Sequence, residues 1–429
     1  MPSGKLVIQG QRPLHGNVRV GGSKNAADYA LAACLLTGEE CVLENVPNIE
    51  DVRLMARILE ALGARVRNEG GGVWRVQADP IQRYDAPSDL VANQRASFLV
   101  MGPLLARFGE AAACSPGGDV IGTRPLDVHL AGFRALGATV SRRGEQYLAQ
   151  CPRERERLQS GRIFLDYPSV TGTVNIILAA TLAQGTSTII NAAAEPEVAN
   201  MIAMLNAMGA KVRGSGSSIL EVEGVTELHG VRHRVLADRL ESGTFALAAA
   251  ATRGAVHVEG AVPEHLDALL AKMRQAGVEV EPDGERLFVS GEGRQFRSIQ
   301  AQAVPYPGLA TDLHPLLAAF LTQAQGVSVI HERVYENRLL YIGELRKMGA
   351  DVITAGQTAI ITGPTHLYGA PVRALDVRAG SSIVLAALVA EGQTEISDIH
   401  HIDRAHEDLA GKLRSLGAQV ERVTDREQK

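Results

Sequence analysis

The chain is poor in the residues that mark several large protein classes. Its four cysteines, Cys34, Cys41, Cys114 and Cys151, contain no CxxC pair, which argues against a disulfide framework and the common zinc spacings and leaves them as free thiols. Aromatic residues make up 4%, with one tryptophan, and the formal net charge is −5. Neither the positive excess nor the aromatic–basic interleaving of a general nucleic-acid surface is present. No apolar run reaches the roughly 18 to 20 residues of a membrane span, and the opening Met1-Pro-Ser-Gly-Lys lacks a signal peptide's apolar segment. These absences predict a cytoplasmic protein with no membrane partner. Low-complexity segments are also missing, and 45% hydrophobic residues in a 429-residue chain supply two cores.

What the chain has is repetition. Six glycines stand in one local context: ALGARV at Gly63, ALGATV at Gly137, AMGAKV at Gly209, QAGVEV at Gly277, KMGADV at Gly349 and SLGAQV at Gly417. Their spacings are 74, 72, 68, 72 and 68 residues. A second series, Gly38, Gly109, Gly185, Gly254, Gly326 and Gly392, runs 23 to 28 residues ahead of the first. Two glycine series in step over the whole chain indicate six copies of one α/β unit.

Each unit reads as an apolar helix, a strand, an amphipathic helix closed by glycine, and further strand. Tyr29–Leu36 is apolar, and Cys41–Val46 alternates as a strand does. Asp51–Leu62 places apolar residues three and four apart before Gly63. The first helix of each unit, such as Leu247–Thr252 or Ile383–Ala390, is apolar nearly all round and belongs inside.

The six inner helices are entered through Gly22–Asn25, Gln94–Ser97, Ser169–Thr173, Asp238–Thr244, Ala310–Leu313 and Asp376–Ser382. Ser, Thr, Asn and Asp are ordinary caps and account for about half of these residues; caps do not require Lys24, Arg95 or Arg378. Helix N-termini converging on a cleft would suit a multiply anionic ligand. A further segment, Ser115–Pro125, holds three glycines, two prolines, Asp119 and Arg124. It reads either as a turn or as a lid carrying an acid and a phosphate-binding arginine. Cys114 continues a strand and is set aside as a nucleophile.

The motifs GSKNAA (22–27), PGGDVIGTRPLDVH (116–129), LADRLESGTF (236–245), ATDLHP (310–315), YENR (335–338) and HHIDRAHEDL (400–409) occur in that order. With them the chain resembles the UDP-N-acetylglucosamine enolpyruvyl transferase (MurA) family over essentially its whole length. The sister shikimate 3-phosphate family shares the fold but typically has Ser at the position of Asn25, then an Arg that this chain lacks. The resemblance implies an inside-out α/β barrel of two domains, each of three βαβαββ repeats. One domain is expected over 24–236 with the 115–125 loop, the other over 1–23 plus 237–429. It also implies transfer of enolpyruvyl from phosphoenolpyruvate to the 3-hydroxyl of UDP-N-acetylglucosamine through a tetrahedral ketal. That reaction is the first committed step of peptidoglycan synthesis and serves cell-wall biogenesis, cell shape and division. No metal or organic cofactor is implied.

By position, the resemblance assigns Lys24, Arg124 and Arg404 to the phosphate of phosphoenolpyruvate, and Arg338 and Arg378 to its carboxylate, a task suited to arginine's two-pronged fork. Asn25 and Arg95 line the substrate site. Contacts to the UDP-sugar come from Arg124, Pro125, Leu126, Asp127 and Val128, from Tyr167, Pro168, Ser169 and Val170, and from Asp312 and Val334. Asp312 fits the base, with capping of its own helix as a competing or additional role. Arg404 has a bland alternative in pairing with Asp403 or Glu407. Asp119 stands where most members carry the cysteine acid, and fosfomycin acts on those members through that thiol, so resistance is expected. Other departures are Leu309-Ala310 for the usual Phe-Pro, His314-Pro315 where Gln is usual, and Thr171-Gly172. They leave open a paralogue for another UDP-sugar, or a silent UDP-sugar sensor.

Overall fold

The computed structural model describes residues 4–152, 154 and 157–424, so Met1, Pro2 and Ser3 of the opening segment lie outside it. The chain separates into two compact units. A central unit comprises Gly22–Asp119 and Arg124–Leu236; a terminal unit comprises Met1–Gly21, Val120–Thr123 and Ala237–Lys429. The short Val120–Thr123 segment, the middle of the expected lid, groups with the terminal unit. There the Ile121 carbonyl accepts from Asn337 N–H at 3.0 Å.

Among the described residues the six repeats appear as six sheets, three in each unit. Five are four-stranded and share one plan, a short parallel edge pair followed by two antiparallel pairs. In the central unit, for example, Arg232–Arg234 lies parallel to Glu40–Glu44, which pairs antiparallel with Val73–Gln77, and that with Arg65–Gly70. The sixth sheet has three strands, and its parallel edge is reduced to the single bridge Asp85↔Ala112.

All six glycines of the first series have positive φ, between 85° and 115°, just past a helix end. A left-handed residue there lets freed carbonyls find donors, as when Ala64 N–H bonds Leu59 O and Gly63 N–H bonds Glu60 O. The repeat signal is therefore a helix-stop signal. The helices it stops are amphipathic: in Glu50–Leu62 the residues Val52, Met55, Ile58, Leu59 and Leu62 are buried while Arg53, Arg57 and Glu60 are exposed.

The other helix of each repeat lies inside. Every residue of Arg239–Ala251 is buried, as is Val377–Leu388. Sheets with alternating burial surround such helices, which gives the inside-out α/β arrangement. One inner helix is irregular. Arg95–Val100 is 3-10, and the α-helix starts only at Met101. Asn175, on the neighbouring inner helix Val170–Ala180, takes the Gly102 N–H at 2.7 Å, and a Cβ at Gly102 would lie 2.4 Å from the Asn175 carbonyl oxygen. A polar side chain from the next helix thus occupies the first turn.

Candidate active site

Four of the six inner helix entries are capped by their own side chains. Ser23 accepts from Ala26 N–H, Ser169 from Gly172, Asp238 from Leu240 and Glu241, and Asp376 from Arg378 and Ala379. The Gln94 and Leu313 entries have no side-chain cap. Capping therefore explains the serines and two aspartates and leaves Asp312 unexplained. It stands two residues before the helix His314–Leu321, and the position of cap falls to Leu313.

Asp312 is instead held by two arginines of the same unit. Arg338 donates from Nη2 to one carboxylate oxygen at 2.8 Å, and Arg378 from Nε to the other at 2.9 Å. Both guanidinium groups are almost fully buried, while the carboxylate is 27% exposed. Two fixed cations orient the anion and leave it an accessible side. Asp376, which caps the Arg378 helix, lies 3.9 Å from Arg338 Nη1, so the cap and the clamp are joined.

In the central unit Lys24 opens the inner helix Lys24–Ala33, where a cation meets the positive end of the helix dipole. Asp51, 1% exposed in the first turn of Glu50–Leu62, offsets this at 2.8 Å from Nζ. Asn25 follows on the same turn. Arg95 donates from Nη2 to the Pro125 carbonyl at 2.9 Å, and Tyr167 Oη donates to Asp127 at 3.1 Å. Thus 124–128 and 167–170 are adjacent, and Gly172 allows it: a Cβ there would lie 2.5 Å from Val128 Cγ1. Leu126 and Val128 have side chains buried in the core. Arg124 has φ +43°, a left-handed conformation uncommon for a residue with a side chain.

The loop before it is shaped by close approach. A Cβ at Gly117 would lie 1.7 Å from the Ala92 carbonyl oxygen, and Gly118, at φ +115°, has the Arg124 guanidinium beside it. Asp119 follows, half-buried. Cys114 ends the strand Glu110–Cys114, and burial raises its thiol above the usual range. A less ionised thiol is a weaker nucleophile.

Arg404 ends the short helix His400–Asp403. Asp403, its neighbour, pairs with Arg422 at 2.7 Å. Two buried histidines brace these segments. His129 accepts at Nδ1 from Asn175 at 3.0 Å, because that amide's oxygen is taken by Gly102, and Nε2 faces Thr171 Oγ1 at 3.3 Å. Burial, then Arg95, lowers its pKa to about 3. His406, whose Nε2 lies 2.8 Å from Ser381 Oγ, is lowered to about 3 by burial, then by Arg378 and Lys412. Both are neutral props. Thr171, a departure in the sequence, is the partner of His129 at Nε2.

Sequence reasoning missed Asp51, Glu332 and Tyr341. Asp51 reads as a helix-start acid and Glu332 as the end of a strand. Their partners are set by tertiary contact.

The model of the EPSP synthase (3-phosphoshikimate 1-carboxyvinyltransferase) family matches residues 8–413. Relatives named UDP-N-acetylglucosamine 1-carboxyvinyltransferase are closer in sequence. One from Halalkalibacterium halodurans is 45% identical, covering 99% of this chain and 95% of its own. Another, from Caldanaerobacter subterraneus subsp. tengcongensis, is 42% identical, covering 97% and 99%. The chain belongs to the enolpyruvyl transferase family. Among solved structures, the enolpyruvyl transferase NikO from Streptomyces tendae aligns with a TM-score of 0.88 at 24% identity, covering 99% of this chain and all of that one. EPSP synthase from Acinetobacter baumannii aligns at 0.76 and 18%, covering 98% and 100%. These two establish the fold, the inside-out α/β barrel expected from the motifs.

Proposed function

We propose that this chain transfers the enolpyruvyl group of phosphoenolpyruvate to the 3-hydroxyl of UDP-N-acetylglucosamine, releasing phosphate, and so supplies peptidoglycan synthesis. The observation that carries this reading is the Asp312 carboxylate, gripped by Arg338 and Arg378 with one side accessible. A fixed carboxylate suits a base that takes the sugar hydroxyl's proton. As that proton leaves, the sugar oxygen bonds to C2 of phosphoenolpyruvate and C3 gains a proton, giving a tetrahedral ketal. Loss of a proton from C3 and cleavage of the C2–O bond to phosphate then regenerate the double bond.

Asp119 is the group we assign to protonate C3. Lys24, Arg124 and Arg404 would hold the phosphate. Arg338 and Arg378, whose planar guanidinium forks suit a carboxylate, would hold the substrate carboxylate. Asn25, Arg95, Asp127, Tyr167, Ser169 and the backbone at Val334 would receive the UDP-sugar. The test is phosphate release measured with each substrate alone and together, across several UDP-sugars. Release that requires phosphoenolpyruvate and UDP-N-acetylglucosamine together supports the reading. Release with a different UDP-sugar corrects the acceptor, and binding without release makes the chain a sensor.

A further inference from the structure

Glu332 closes the strand Gly326–Glu332 with a side chain that is fully buried. Such a carboxylate needs its lone pairs filled, and here four donors reach it. Thr311 Oγ1 lies at 2.7 Å and His314 Nδ1 at 3.0 Å from Oε2; the backbone N–H groups of Val334 and Tyr335 lie at 2.6 and 3.2 Å from Oε1. Burial alone would raise the carboxyl's pKa, but the donors from His314, Thr311 and Val334 outweigh it and hold it below the usual range.

His314 is also fully buried, and its Nε2 is 2.9 Å from Tyr341 Oη. The bonding fixes the tautomer. Glu332 as a carboxylate only accepts, so Nδ1 carries the proton, and Nε2 accepts from the phenol. Burial lowers the imidazole's pKa despite Glu332, and burial raises that of the phenol, so both stay neutral. Tyr341, His314 and Glu332 form one chain with donor matched to acceptor throughout.

The placement of this chain is what matters. Thr311 and His314 flank Asp312 on either side, and Val334 and Tyr335 are the first residues beyond Arg333 on the neighbouring segment. One carboxylate therefore ties down both the turn that carries the base and the backbone at Val334. Resting on the enzyme reading above, we propose that Glu332, backed by His314 and Tyr341, is a positioning device that fixes Asp312 and the Val334 backbone for reaction. An apolar core would fill the same volume without the desolvation cost of a buried carboxylate. It would not fix two segments in register.

The experiment compares His314→Leu, His314→Gln and Tyr341→Phe with the wild type for kcat, KM and backbone hydrogen exchange. Leucine removes the donor to Glu332 and the acceptor for Tyr341. Its kcat should fall roughly 10- to 100-fold, as small misplacements of reacting groups do, with faster exchange in 311–313 and 334–335. Glutamine restores an N–H and a carbonyl and should return kcat to within about threefold, because the hydrogen bonds are replaced in kind. Tyr341→Phe, which loses one oxygen, carries the same test if the leucine variant fails to fold; its kcat should fall and the same amides exchange faster. Wild-type kcat per folded molecule together with wild-type exchange in the leucine or phenylalanine variant overturns the proposal. If the wild type itself transfers no enolpyruvyl group, the enzyme reading fails, while faster exchange confined to those two segments still upholds the positioning of the turn.

Discussion

Asp312 and its two arginines form a unit in which each charge depends on the others. Replacing Asp312 with Asn keeps the shape but removes the base and leaves two buried guanidinium groups facing an amide. Turnover per folded molecule should fall by about 10²-fold or more, and stability should drop, since breaking a buried ion pair costs about 3–5 kcal/mol. UDP-sugar affinity should change far less; steady-state kinetics beside calorimetry on one preparation check both. A second substitution concerns Asp119. Asp119→Asn should lose most activity because an amide cannot donate the proton, whereas Asp119→Cys should keep some activity and become open to time-dependent inactivation by fosfomycin. The unmutated protein should carry no fosfomycin adduct, Cys114 included, because burial disfavours its thiolate. Mass spectrometry after treatment reads this directly. The motifs mark these residues in the sequence, but not their partners. Arg338 and Arg378 lie 26 and 66 positions from Asp312, and no local spacing encodes that meeting.

Elements follow the sequence where local chemistry decides them and depart where a neighbour does. The six stop glycines and the apolar inner helices are legible because backbone sign and hydrophobic period are local properties. The 3-10 segment Arg95–Val100 is not, because Asn175 from another helix causes it. The same contact set makes a pH prediction. His129 is neutral when folded, with a pKa near 3 against an ordinary value of ~6.5. As pH falls, the unfolded chain binds the proton first, so the stability His129 confers is complete above ~6.5 and is lost down toward 3. Within that window the loss is about 1.4 kcal/mol per pH unit. Between pH 7 and 5, wild type should therefore lose about 2 kcal/mol more than His129→Gln in denaturant unfolding. Equal losses would show that His129 does not titrate this way.

The molecule as a whole is six repeats serving two cores, and its candidate groups fall at the starts of inner helices and in the loops beside them. A repeat count read from glycines gives that architecture, because each glycine marks a helix end in three dimensions as well as in sequence. What repetition cannot show is how the copies diverge. The Asp312 clamp and the Glu332 chain occur in particular repeats and have no periodic signature.

On this reading the chain adds and eliminates across the double bond of phosphoenolpyruvate with UDP-N-acetylglucosamine as acceptor. Running the reaction in deuterium oxide and analysing the product by mass spectrometry tests it directly. C3 must gain a solvent-derived proton in the addition and lose one in the elimination. The expected product is UDP-N-acetylglucosamine carrying an enolpyruvyl group, with deuterium in its vinyl position and phosphate released in equal amount. An enolpyruvyl product without deuterium at that carbon, or no product when both substrates are saturating, would contradict it.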